Sequence, residues 1–382
     1  MRIVFYSHTS DLGNGGGESL LDIVIFLSKK NDCYVITPSQ GSLNLKLNIL
    51  GINNKVIPFK WSSNFGNSLN FNQLKKTLAT IKGWFYRIRF NKQNEIFHLR
   101  FLKEYQPNII YSNTSVINIG VKLAIKLNLP HVWHVREFQF YDIKPDFGKK
   151  YLVYYLKKSD LIIANSEMLK SYFESFVSNK KIKMIYNGIE INNKRSIDLK
   201  LKSIERDFTF LMVGELIKRK SHIEVLRALK VLKLRNQRLK LIIVGEGHLR
   251  IEIEKFILEN DLLGYVTLAG YQDKVDEFYL QADCFLMSSK HETFGRVTVE
   301  AMMFSLPIIG KNSKYNATRE IIRSGIDGWL YDNEIDLIDK MEWMIKNKSL
   351  SVKMGESGKV WANQNFSLNK SMKGIEELIT SI

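Results

Sequence analysis

The stretch Cys284-Phe-Leu-Met-Ser-Ser-Lys-His-Glu-Thr-Phe-Gly-Arg-Val-Thr-Val-Glu-Ala-Met-Met-Phe-Ser-Leu-Pro307 decides the fold. Its first four residues are an apolar run, the mark of a strand covered on both faces. A polar loop with one glycine follows, and then a helical pattern. Strand, glycine-bearing loop, helix is how open α/β sheets build a ligand crevice at their carboxyl edge. The loop offers the carboxylate of Glu292 and backbone N–H groups; the helix offers a second carboxylate, Glu300. Such a site suits a polyhydroxylated ligand that carries phosphate. The eight-residue spacing is not itself informative, since the chain also contains Glu246/Glu254 and Glu334/Glu342. Only the 292/300 pair has Phe-Gly after the first glutamate and a strand before it.

Outward from this segment, short apolar runs alternate with helical patterns through the whole chain, which predicts parallel α/β layers. Strands are expected at 3–6, 33–36, 55–57, 109–111, 132–134, 161–164 and 183–185. A second set is expected at 208–213, 239–244, 265–268, 284–287, 307–309 and 329–331. Helical periodicity is clear in Ile223, Leu226, Leu229 and Leu232. Tyr186-Asn-Gly-Ile-Glu190 and the polar, basic stretch to Asp207 form the best domain boundary. The expected organisation is an N-terminal domain over 1–187, a C-terminal domain over 188–365, and a last amphipathic helix over 366–382. That helix carries Met372, Ile375, Leu378 and Ile379 and is expected to cross back onto the first domain.

A length of 382 residues fits two domains of about 180 residues each. The 45% hydrophobic and 25% charged content is that of a soluble globular protein. No run of 18 apolar residues occurs, so no spanning helix is expected, and Met1-Arg-Ile-Val-Phe-Tyr6 reads as a strand rather than a signal segment. The two cysteines, Cys33 and Cys284, sit in apolar strands, which points to reduced thiols and the cytoplasm. The net charge of +17 is uneven: residues 1–187 hold 26 Lys/Arg against 12 Asp/Glu, and the remainder 30 against 27. An anionic partner is therefore expected for the first half. Residues 71–90 pattern as a basic amphipathic helix, with Phe71, Leu74, Leu78, Ile81, Phe85 and Ile88 on one stripe. Lys75, Lys76, Lys82, Arg87 and Arg89 lie elsewhere on it, and Trp84 and Tyr86 near its end. This is either a core helix with solvated charges or a surface for an anionic membrane.

Four further motifs sit where strands end. Asn14-Gly-Gly-Gly-Glu18 precedes a helix expected at 19–27, and its missing Cβ atoms let backbone approach a phosphate or sugar. It is neither a Walker loop nor a dinucleotide G-x-G-x-x-G pattern, and a plain tight turn is the alternative. Val213-Gly-Glu-Leu-Ile-Lys-Arg-Lys-Ser-His222 places Arg219 and Lys220 at a helix start, suited to a diphosphate or else simply solvated. Ile243-Val-Gly-Glu-Gly-His248 offers Gly245 and Gly247 beside a nucleobase, a weak signal alone. In His131-Val-Trp-His-Val-Arg-Glu137 the two histidines face opposite sides of a strand and cannot share a metal. His134, nearer the carboxyl end, is the better crevice residue, a structural histidine being the alternative. No Cys/His metal pattern, Asp-x-Asp pair or Gly-x-Ser-x-Gly elbow occurs, so hydrolase and metal-dependent readings lose ground.

Together these motifs resemble the family-4 retaining nucleotide-sugar glycosyltransferases of the GT-B fold. The Glu292–Glu300 block with Ala301-Met302 and Pro307 is the most specific part. Gly15-Gly16-Gly17-Glu18, Trp133-His134, Asn165-Ser166-Glu167, Asn187-Gly188, Gly245-Glu-Gly247 and Thr318-Arg-Glu-Ile-Ile322 with Gly325 and Gly328 follow in the right order. The likeness is strongest from Phe208 to Tyr331 and diffuse between 40 and 105. It implies two Rossmann-like, doubly wound parallel-sheet domains facing across a cleft. It also implies a retaining, metal-independent transfer from an NDP-sugar, a UDP-sugar by preference, with no cofactor.

By the same resemblance Glu300 would hold the ribose diol and Glu292 the hydroxyls of the transferred sugar, with the N–H groups of Phe294 and Gly295 nearby. Lys220, helped by Arg219, would neutralise the diphosphate. Gly15 and Gly16 would line the opposite wall, and His134 would contact the sugar near the reacting carbon. Two positions depart from the pattern: Glu215 stands where an arginine is common, and Ser305 where glycine is. The implied acceptor is a lipid-linked glycan of bacterial capsule, exopolysaccharide or O-antigen, met by a cytoplasmic enzyme peripheral to the membrane. A nucleotide-sugar 2-epimerase of the same architecture is the rival enzyme. A nucleic-acid-binding protein is a distant alternative, and nucleic acid is not the expected partner.

Overall fold

The computed structural model describes residues 1–13, 15–65, 73–141, 143–178, 181–190, 206–235 and 238–382, with side chains between 64 and 79 left aside. Asn14 of the glycine motif, Phe71, residues 191–205 of the expected linker, and the side chains of Leu74, Lys75, Lys76 and Leu78 lie outside the described residues. The chain forms two compact units, Met1–Gly188 with Leu368–Ile382, and Ile189–Ser367.

The first unit holds a seven-stranded parallel sheet. Its order across the sheet is Asn53–Val56, Asp32–Thr37, Arg2–Tyr6, Ile109–Asn113, His131–Val135, Leu161–Ala164, Ile182–Met184. The second unit repeats the plan with six parallel strands, in the order Val266–Gly270, Leu239–Val244, Phe208–Val213, Cys284–Met287, Ile308–Lys311, Gly328–Tyr331. In each sheet the chain starts in the middle, winds outward on one side, then returns to wind outward on the other. The reversal falls between Arg2–Tyr6 and Ile109–Asn113 in one unit. In the other it falls between Phe208–Val213 and Cys284–Met287. A crevice outside the carboxyl ends of the strands at such a switch point is where doubly wound sheets bind ligands. Each sheet is covered by its own helices. Leu20, Ile23, Val24 and Leu27 pack on the first sheet, Val225, Leu226, Leu229 and Leu232 on the second. The last helix, Leu368–Thr380, belongs to the first unit, where Met372, Ile375 and Ile379 join the core.

Three local expectations change. The first helix begins at Gly15, not at 19, so the glycines form its opening turn. Glu18 stabilises that start, accepting from the N–H of Gly13 at 3.0 Å through Oε1. The helix expected at 71–90 runs over Gln73–Tyr105. Its buried face continues through His98, Phe101 and Leu102, and it ends where Gln106 turns left-handed (φ 50°) before Pro107. Finally, two small ladders were not foreseen: Ser63–Phe65 with Ile143–Pro145, and His291–Glu292 with Tyr315–Asn316. Two or three residues are too few to show a strand periodicity.

Candidate active site

In the second unit the loops after the two central strands meet. The short 3₁₀ turn Lys218–Lys220 docks on the segment after Cys284–Met287. There Ser288 Oγ donates to the carbonyl of Lys220 at 2.6 Å, and the N–H of Lys290 to that of Arg219 at 2.8 Å. The stem of Lys220 lies across Gly214, where a Cβ would sit 3.3 Å from its Cε. Lys220 Nζ reaches Glu292 Oε2 at 2.8 Å, and Arg219 Nη1 approaches the same oxygen at 3.5 Å. Lys220 and Glu292 are almost out of water, their side chains 13% and 14% exposed. Burial pushes the Glu292 carboxyl up, but Lys220 and then Arg219 outweigh it and hold it below the usual carboxylate value. Glu292 is therefore an anion already neutralised by two cations, carried on a two-residue ladder rather than a free loop.

Gly295 follows, left-handed at φ 80° and closing against Met287, Glu292 and Thr298 so tightly that a Cβ would meet each at 3.1–3.2 Å. It caps the helix Arg296–Met303, whose first turn leaves N–H groups without intrahelical partners. The Phe294 ring is buried against Phe366, so its side chain is not offered to a ligand. Glu300 lies one turn into the helix, half-buried, and its Oε2 accepts from the Tyr279 hydroxyl at 3.0 Å. Tyr279 is itself buried and stacked on Phe304. Gly245 and Gly247 have a packing reason: a Cβ on either would strike the backbone of Gly214 or Leu216, at 2.1 and 2.5 Å. Those glycines bring the loops after Phe208–Val213 and Leu239–Val244 into contact. Glu215 is exposed on that rim.

In the first unit, Gly15 and Gly16 lie in the opening helical turn, and Asn113 Nδ2 donates to the carbonyl of Gly16 at 2.9 Å. His131 and His134 separate across the strand. His131 is held by Ser112 and Ser159 and reads as structural. His134 Nδ1 lies 2.6 Å from the Tyr111 hydroxyl and 3.2 Å from Arg136 Nη2, while its buried Nε2 has no partner among the described residues. Burial first, and then Arg136, hold its imidazole neutral, well below the usual pKa. Among the described residues no group of three or more His, Cys, Asp or Glu is placed to hold a metal ion.

Comparison with known proteins supplies the family. Residues 13–193 match the family described as Glycosyltransferase Family 4, and residues 193–361 match Glycosyl transferases group 1. The chain belongs to the group 1 glycosyltransferases. An N-acetylgalactosamine-N,N'-diacetylbacillosaminyl-diphospho-undecaprenol 4-alpha-N-acetylgalactosaminyltransferase of Campylobacter jejuni is 32% identical over 200 residues, half of this chain and 53% of that protein. The capsular polysaccharide biosynthesis glycosyltransferase CapM of Staphylococcus aureus is 26% identical over 70% of this chain and 75% of its own. Among solved structures, Anabaena HepE in complex with UDP and glucose superposes with a TM-score of 0.79, covering both chains fully at 20% identity. At that identity the likeness establishes the fold, which is GT-B.

Three residues at the carboxyl edges of the two sheets escaped sequence reading. Tyr279 lies in the helix before the Cys284 strand, far from Glu300 in sequence, and carries no motif. Ser289, which hydrogen-bonds Glu292, is one of two serines in an ordinary loop. Arg136 stands inside the His131–Glu137 motif but was given no role, because its contacts to Asn113 and Asn187 join segments distant in the chain.

Proposed function

We propose that this glycosyltransferase moves a sugar, with retention, from a UDP-sugar to a lipid-linked glycan acceptor in bacterial capsule, exopolysaccharide or O-antigen synthesis. The observation that carries the reading is the gathering of Lys220 and Arg219 on Glu292, one glycine away from a helix whose Glu300 is held by Tyr279. Two cations and a helix N-terminus suit a diphosphate. A carboxylate oriented by a phenol suits a ribose diol, and a buried carboxylate suits sugar hydroxyls. Gly245, Gly247 and the backbone at Phe294 and Gly295 let the donor come close, and in the first unit Gly15, Gly16 and His134 take the sugar side. The names of relatives agree: one acts on a diphospho-undecaprenol, one serves capsular polysaccharide, and the Anabaena structure holds UDP.

In the chemistry that follows, the acceptor hydroxyl oxygen bonds to the anomeric carbon on the face the diphosphate leaves. Its proton passes to a leaving phosphate oxygen, and Lys220 with Arg219 stabilises the charge that develops there. Positive charge comes from side chains, so the reading uses neither metal nor cofactor.

For the first unit we propose an anionic membrane surface at the cytoplasmic face as the docking partner. No described helix is long and apolar enough to cross a membrane. The long helix instead exposes Ile81, Phe85, Tyr86, Ile88, Ile96 and Phe97. Lys82, Arg89, Lys92 and Lys103 are exposed among them. Aromatic and basic side chains together on one helix surface suit the headgroup region. Arg87 is not part of that surface, because it forms a buried bidentate pair with Asp146, at 2.5 and 2.9 Å.

The test is a donor panel: NDP release from UDP-, GDP- and dTDP-sugars, with and without membrane extract, in the presence and absence of EDTA. UDP-sugar turnover that needs the extract and ignores EDTA is expected. Failure of every NDP-sugar to bind would overturn the reading, and acceptor-independent conversion of the sugar nucleotide would favour an epimerase. Flotation with anionic vesicles should fall when Lys82, Arg89 and Lys92 are replaced by glutamine. Equal flotation would remove the docking helix.

A further inference from the structure

The partners of His134 carry a constraint beyond its placement near a sugar. A guanidinium has only N–H donors and no acceptor. Arg136 points three of its nitrogens at fixed positions: Nε at Asn113 Oδ1 (2.8 Å), Nη1 at Asn187 Oδ1 (2.5 Å) and Nη2 at His134 Nδ1 (3.2 Å). Asn113 cannot be flipped to relax this, because its Nδ2 already donates to the carbonyl of Gly16. The guanidinium is thus oriented from two sides before it meets the imidazole, and it is only 7% exposed.

A nitrogen that faces a guanidinium N–H must present its lone pair, so His134 Nδ1 cannot carry hydrogen. The Tyr111 hydroxyl, 2.6 Å from the same nitrogen, then donates to it as well. With Nδ1 committed as acceptor and the ring neutral, the proton resides on Nε2. That atom is buried and has no partner among the described residues. A buried N–H without a partner is costly and rare in native structures, and a catalytic or ligand-binding role is one reason for it to persist.

We propose that Arg136 is a positioning residue that holds His134 as its Nε2–H tautomer, so that His134 meets its ligand only as a hydrogen-bond donor. It does not serve as a general base, since its one basic nitrogen is turned to Arg136 and Tyr111. The oxygen it serves is a sugar or acceptor oxygen with a free lone pair; this assignment of the ligand rests on the proposed transfer reaction, whereas the tautomer does not.

The experiment is long-range ¹⁵N–¹H correlation on ligand-free protein with ¹⁵N-labelled histidine near neutral pH. His134 is assigned by the signals lost in His134→Gln. Wild type should show a protonated-type Nε2 and an unprotonated-type Nδ1. Tyr111→Phe should keep that pattern, because Arg136 still donates. Arg136→Met should give averaged nitrogen shifts and slow transfer by about 10-fold, the worth of one misplaced hydrogen bond. A protonated Nδ1 in wild type, or loss of the pattern in Tyr111→Phe, overturns the proposal. Both spectra decide it even if Arg136→Met does not fold. They also decide it if no NDP-sugar is turned over, so failure of the tautomer and failure of the transferase reading are distinct results.

Discussion

At the carboxyl edge of the second sheet, Lys220 and Arg219 face the carboxylate of Glu292. At the same edge of the first sheet, Arg136 faces asparagine oxygens and an imidazole, while the neighbouring Glu137 turns to Ser115. Both edges bury a cation, and the consequences differ. Where the cation has an anion, an incoming phosphate competes for it, and the site is prepared for charge. Where its guanidinium meets amide oxygens and an imidazole, it adds to the burial that keeps His8 and His134 uncharged, and the site is prepared for hydrogen bonds. The split fits the proposed reading, in which the second unit handles the diphosphate and the first handles hydroxyls.

The largest test of this contrast is acid. In the first unit, burial holds His8 and His131 down at about 3 and His98 at about 4, and His134 also lies well below 6.5. The second unit has one such group, His222, at about 4. A base with a depressed folded pKa is protonated in the unfolded chain first. Its stabilising effect is complete above the unfolded value near 6.5 and drains as pH falls from there towards the folded value. At pH 5 that is about 1–2 kcal/mol per histidine. Glu292 has the same sign but a lower window: its contribution is lost only as pH falls below the ordinary carboxylate range. Hydrogen exchange at pH 5 and pH 7.5 should therefore show peptides of the first sheet losing protection before those of the second. Simultaneous loss, or the reverse order, would break the contrast.

Next in size is Lys220→Ala. If its ammonium stabilises the leaving diphosphate, turnover should drop by about 10²–10³-fold, in kcat more than in donor KM. A change confined to KM would reduce Lys220 to a ground-state contact. Arg219→Ala, at 3.5 Å from Glu292 and 38% exposed, should cost less. Glu300→Ala should weaken UDP binding by about 10–100-fold, as expected for hydrogen bonds to a charged group, with little effect on kcat. Unchanged UDP affinity by calorimetry would remove Glu300 from the ribose.

Much of the second edge was legible in the sequence because its parts lie close together in the chain. The Cys284–Met287 strand, the glycine and both glutamates fall within 17 residues, and the Gly214 loop carries Arg219 and Lys220 at its end. Every strand of the two main sheets was also legible, the central ones because a strand buried on both faces reads as an unbroken apolar run, and the edge strands, such as the polar Asn53–Val56, from their place in the alternation of strands and helices. What stayed hidden depends on contacts between remote segments. The use of Arg87 illustrates it: in sequence it belongs to a basic stripe, and only the fold brings Asp146 against it. Gly245 and Gly247 show the converse, a motif with a ligand reading whose first physical demand is loop packing. The apolar stripe of the long helix breaks at Phe90 in sequence because it resumes in a histidine, His98, buried against Tyr6.

The smallest effect sharpens the donor side most. Tyr279 touches neither diphosphate nor sugar in the proposed reading; it holds one oxygen of Glu300, with its own ring fixed by Phe304. Burial first, and then the Glu300 charge, push the phenol pKa well up, so it remains a donor across the working range. Tyr279→Phe keeps the stacking and removes only the hydroxyl. The carboxylate then gains rotational freedom, and the ribose contact should weaken by about 3–10-fold, the worth of one neutral-to-charged hydrogen bond partly replaced by water. The comparison ligand is 2′-deoxy-UDP, which lacks one of the two hydroxyls that Glu300 would accept from. If Tyr279 acts through Glu300 on the diol, the substitution should weaken UDP more than 2′-deoxy-UDP, and the two losses should be less than additive. Equal weakening of both ligands would mean that the tyrosine supports the helix Arg296–Met303 as a whole, and that Glu300 needs no orienting partner.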